Sequence, residues 1–149
     1  MINKLCLSAI LILTGFAAHA EQAGEVFPTV NNAWLRAAPP GSPMLAAYIE
    51  LTNPTQQAIK LVGAYSPAFS MTEIHKTIII DDMARMREQK EIIIQPGQSV
   101  VMEPGGLHIM LMRPQQQLDV GDTVRICLIY AGESENKVQH LDFPVKMAQ

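Results

Sequence analysis

Two short stretches of the chain set histidine beside methionine. "SMTEIHKTIIIDDMARMREQK", residues 70–90, holds Met71, His75, Met83 and Met86. "GGLHIMLMRP", residues 105–114, alternates His108, Met110 and Met112 with aliphatic residues. A thioether is a soft, uncharged sulfur ligand, and together with imidazole it selects Cu(I). Zinc takes thiolates or a carboxylate with its histidines, and calcium and magnesium take oxygen. A neutral shell leaves the charge of the ion uncompensated, which suits a site that gives its ion up.

Strand geometry can position these groups. Residues i and i+2 of a strand lie on one face, about 6.5–7 Å apart, so His108 and Met110 can converge on one ion. On the strand expected around Thr72–Ile80, Ile74, Ile78 and Ile80 share one face, and Met71, Glu73, His75, Thr77 and Ile79 share the other. On the strand expected over Leu107–Met112, His108, Met110 and Met112 oppose Leu107, Ile109 and Leu111. Both histidines therefore leave the more aliphatic face. One strand cannot close a tetrahedral shell, so a second segment contributes. "IIIDDMARMREQ" reads as a hairpin turning near Asp81–Ala84, which returns Met83 or Met86 toward the strand of His75. Methionine also fills cores: Met102 and Met112 are expected in the core, Met71 and Met83 at the surface or rim. Glu73 reads as a solvated strand position.

The elements that must carry these residues are short. Turn signals recur at "APPGSP", "NPT", "SPA", "DD", "QPGQ", "EPGG" and "VGD", with runs rich in Ile, Val, Leu and Tyr between them. That rhythm predicts an antiparallel sandwich or barrel, and no stretch holds a capped helical period.

"MINKLCLSAILILTGFAAHA" has Lys4, an apolar run from Leu5 to Phe16 and a small-residue "AHA". It reads as a secretory leader cleaved after Ala20, with an apolar run too short to span a bilayer comfortably. The expected organisation is a leader, 1–20, and one domain, 21–149, with no membrane span after cleavage. No small-residue cleavage site precedes Cys6, so a lipid-anchored cysteine is not expected. A net charge of −3 without a basic patch gives nucleic-acid binding no support. Cys127, left alone by cleavage, cannot form an internal disulfide; in "VRICLIYA" it reads as a buried thiol. A blue-copper centre needs a thiolate beside two histidines, yet the next histidine, His140, is thirteen residues on and reads as a surface residue. No Ser/His/Asp grouping, catalytic carboxylate pair or phosphate loop stands out, so an enzyme is not expected.

The spacing His75-x10-Met86-x21-His108-x-Met110 resembles the signature of the PCu(A)C-type periplasmic copper chaperones. "AWLRAAPPGSPMLAAYIELTNP", "LVGAYSPAFSMTEIH" and "PGQSVVMEPGGLHIMLM" are similar to that family's opening strands and its approaches to the ligands. Lys76 and Thr77 stand where the family often carries Glu and then Met, so an auxiliary methionine is missing. The resemblance implies an all-β, single-domain, cupredoxin-like Greek-key β-sandwich that binds Cu(I) through His75, Met86, His108 and Met110. It also implies delivery of copper in the periplasm toward the copper centres of cytochrome c oxidase. The acceptor would be a copper-accepting oxidase subunit or a thiol-bearing assembly factor, with the chaperone itself a monomer. Two other readings stay open: a periplasmic scavenging or storage protein, and a secreted β-sandwich interaction module without a metal.

Overall fold

The computed structural model describes residues 26–148; the expected leader, residues 1–20, lies outside the described residues. Ten strands follow one another: β1 (Thr29–Arg36), β2 (Met44–Thr52), β3 (Ile59–Tyr65), β4 (Phe69–Ile80), β5 (Met83–Glu88), β6 (Ile92–Ile94), β7 (Ser99–Met102), β8 (Leu107–Pro114), β9 (Thr123–Tyr130) and β10 (Lys137–Lys146). No helix occurs among the described residues. The expected cupredoxin-like all-β sandwich is the architecture observed.

One layer runs β5-β4-β8-β7-β2-β1 and the other β10-β9-β3-β6. A short parallel pairing joins them, with Leu35 beside Val145 and Arg36 beside Lys146. β8 pairs directly with β2 from Met44↔Met112 to Ala47↔Ile109, and meets β7 at Met102↔Leu107. The core lies between the layers. Leu35, Ile49, Leu51, Ile109 and Leu111 enter it from the first layer, and Leu61, Ile94, Ile126, Leu128 and Phe143 from the second. Alternation does the sorting: on β8, Ile109 and Leu111 face inward, and His108, Met110 and Met112 face out. Met102 is buried in the core as expected. Met112 is not: its strand parity puts it on the outer face, half-buried.

Two turns set the site strands. β4 and β5 join through Asp81 and Asp82, whose φ values are 51° and 59°. Positive φ at both central residues is the type I′ geometry, whose twist matches paired strands, and aspartate tolerates that region better than most residues. β8 follows a turn in which Gly105 has φ 81°. There Gly106 N–H donates to Glu103 O at 3.0 Å, and Thr77 N–H donates to Gly106 O at 3.1 Å, fixing the turn against β4.

Candidate metal centre

β4 runs between β5 and β8, and the register decides what meets. His75 stands opposite His108, and Glu73 opposite Met110. On the other side Met86 stands opposite Thr77, and Glu88 opposite His75. Opposite residues of an antiparallel pair share a face, so His75, Met86, His108 and Met110 all lie on the outer face of the sheet. Met83 stands opposite Ile80, on the other face. Of the two methionines left open by the hairpin, the register puts Met86 on the face of the histidines.

The histidine rings are 6.0 Å apart between centroids, at 60°. His108 and Met110 are buried, at 4% and 7% exposure, and Met86 is 56% exposed. Each ring is held from two residues earlier on its own strand. His75 Nε2 lies 2.7 Å from Glu73 Oε2, and His108 Nδ1 lies 3.1 Å from Gly106 O. A carboxylate and a carbonyl only accept. The protons therefore sit on His75 Nε2 and His108 Nδ1, and the lone pairs on His75 Nδ1 and His108 Nε2. Those two bare nitrogens are buried and have no hydrogen-bond partner. Leaving a buried acceptor unsatisfied costs about 1–3 kcal/mol, and a metal ion would satisfy both. The third such atom, Thr72 Oγ1, belongs to the core side of β4.

An imidazole proton bonded to a carboxylate or carbonyl is the arrangement that orients metal-binding histidines. Glu73 therefore has a role that its solvated-strand reading missed; its i, i+2 spacing from His75 was the available signal. Burial holds the pKa of His108 below the ordinary value, against the raising effect of the Gly106 carbonyl, and proximity to His75 adds a smaller lowering effect. The lowering favours the neutral form that ligation needs. Among the described residues, no group of three or more His, Cys, Asp or Glu side chains could hold a metal. The thioether of Met110 is next to His108 on the same strand face.

Met86 and Met110 flank the histidine pair from opposite corners. In a flat sheet that places their Cα atoms about 13 Å apart along the strands and about 10 Å across them. Both thioethers reach one ion only if the hairpin curls over the face. β5 is exposed along its whole length, so nothing among the described residues packs on it to oppose such a bend.

Cys127 and His140 meet on the other layer. They are opposite in the β9–β10 register, with Sγ and Nδ1 3.1 Å apart. Cys127 is buried and His140 exposed, as expected; their contact was hidden by the thirteen residues between them. Burial pushes the Cys127 thiol up, against the lowering effect of Arg125. The thiol faces one imidazole and stays protonated, which is not a blue-copper set.

Comparison with known proteins follows the same outline. The family model described as "Putative lipoprotein LpqE-like" matches residues 28–145. A protein named "Putative lipoprotein Lxx21020", from Leifsonia xyli, is 32% identical over 148 residues, covering 93% of this chain and 87% of that protein. The solution structure of CuI-DR1885 from Deinococcus radiodurans is 30% identical, with a TM-score of 0.63, covering 87% of this chain and 85% of that one. The copper-bound PCuAC domain from PmoF2 shares the fold at 23% identity and a TM-score of 0.62, covering 80% of this chain and 92% of that domain. The chain belongs to the LpqE-like family, and its fold is that of the PCuAC copper-chaperone domains.

Proposed function

We propose that this protein is a Cu(I) metallochaperone of the cell envelope. It carries one ion on His75, Met86, His108 and Met110 and passes it toward the copper centres of cytochrome c oxidase. The observation that carries this reading is the pair of bare, buried imidazole nitrogens, His75 Nδ1 and His108 Nε2, on one sheet face with two thioethers. The Cu(I) form of a 30% identical relative supports the choice of ion. The neutral donor set suits transfer: an acceptor with cysteine thiolates offers negative charge to the ion, and this site offers none. Met86 is exposed, so an acceptor could displace it first while the buried His108 still holds the ion.

The test is transfer. Protein loaded with Cu(I) under anaerobic conditions is mixed with excess apo copper domain of an oxidase subunit, or with a thiol-bearing assembly factor, and copper is followed on both partners. Movement to an acceptor supports delivery; retention against every acceptor supports scavenging or storage. Localisation has its own test. Mass spectrometry of envelope fractions should find a chain lacking residues 1–20, and a lipid on Cys6 would instead make the protein membrane-anchored, as the names of its relatives suggest.

A further inference from the structure

Three further methionines stand in a row on the same sheet face. β8 lies between β2 and β4, and Met112 is opposite Met44 on one side and Met71 on the other. Directly opposite residues share a face with Cβ atoms about 4.5–5.5 Å apart, so the three side chains leave the sheet in one row across β2, β8 and β4. Met44 is 55% exposed and Met71 44%, and Met112 is half-buried; none of the three fills the core. The backbone beneath the row is clamped at both seams. Arg113 N–H donates to Pro43 O at 2.8 Å, and Gln115 N–H donates to Ala68 O at 2.9 Å. The strands are fixed, while the long unbranched side chains remain free to turn over an ion.

We propose that Met44, Met71 and Met112 form a second site for a soft monovalent ion, Cu(I) or its analogue Ag(I), built from thioethers alone. Three neutral sulfur donors select such an ion and reject calcium, magnesium and zinc. The site shares no ligand with the histidine centre, so it stands or falls separately. It binds less tightly, because it has neither imidazole nor the fourth donor. Met110 follows two residues before Met112 on β8, one strand step of about 6.5–7 Å. An ion held in the open row is therefore one step from the buried pair of Met110 and His108. The row is placed to collect copper at the surface and feed the deeper site.

The experiment is titration of the protein, labelled with 13C at its methionine methyls, with Ag(I). The first equivalent should move the methyl signals of Met86 and Met110. The second should move those of Met44, Met71 and Met112 and leave Met83 and Met147, exposed methionines outside the row, in place. Met112→Leu keeps the side-chain volume; it should abolish the response of Met44 and Met71 and leave the first equivalent unchanged. Row signals that stay still through two equivalents would overturn the proposal and leave the row as an apolar surface for a protein partner. Movement of Met83 and Met147 in parallel with the row would overturn it too, as unselective thioether binding. A row that responds while Met86 and Met110 do not would support the second site and overturn the four-ligand centre.

Discussion

His75 and His108 face each other across β4 and β8, and each is oriented by a group two residues before it, Glu73 for one and Gly106 for the other. The two hydrogen bonds use different ring nitrogens, Nε2 of His75 and Nδ1 of His108, and leave His75 Nδ1 and His108 Nε2 buried without a hydrogen-bond partner.

The Glu73 carboxylate is a positioning group, so its removal should weaken copper binding without removing a ligand. Glu73→Gln should lower Cu(I) affinity about 10–100-fold, the usual effect of losing such a partner. Competition with a Cu(I) chelator measures it. Unchanged affinity would mean that Glu73 does not orient His75.

Acid should destabilise the metal-free protein through His108. Its folded pKa lies below the ordinary 6.5, so the unfolded chain binds the proton more readily. The resulting stability is fully present above 6.5, falls as pH drops through the window between the two values, and levels off below the folded value. Urea unfolding of wild type and His108→Leu across this range gives the comparison. The variant should lose less stability than wild type on acidification.

Core and ligand methionines should separate cleanly. Met102 is 2% exposed and Met86 is 56% exposed. Met102→Ala should cost about 2–5 kcal/mol of stability with Cu(I) affinity retained. Met86→Ala should change stability by no more than about 0.5 kcal/mol and weaken Cu(I). Thermal melts of the apo forms and chelator competition read the two effects.

The curl of the β4–β5 hairpin should be visible on loading. A nuclear Overhauser contact between the Met86 and Met110 methyls should be absent in the apo protein and present with Cu(I). Its absence in the loaded form would remove one of the two thioethers from the shell.

Much of this was legible in the sequence because a strand's side chains alternate strictly. Ile74 and His75, or Ile109 and Met110, reveal the core face and the outer face without knowledge of the partners. The Asp81–Asp82 turn was equally legible, since aspartate pairs mark tight turns. What alternation cannot give is register across strands distant in sequence. The choice of Met86 over Met83 rested on the family resemblance until pairing with Thr77 and Ile80 settled their faces. Met112 reads as a core filler until β2 and β4 place Met44 and Met71 beside it. The contact of Cys127 with His140, and that of Tyr130 Oη donating to Gln139 Oε1 at 2.9 Å, depend on the β9–β10 pairing, invisible to any local pattern.

X-ray absorption at the copper edge, on protein loaded with one equivalent of Cu(I), tests the central claim most directly. The account predicts a mixed shell of two imidazole nitrogens and two thioether sulfurs, with the sulfur contribution halved in Met86→Ala or Met110→Ala. A shell without sulfur, or a sulfur signal unchanged in both variants, would contradict it.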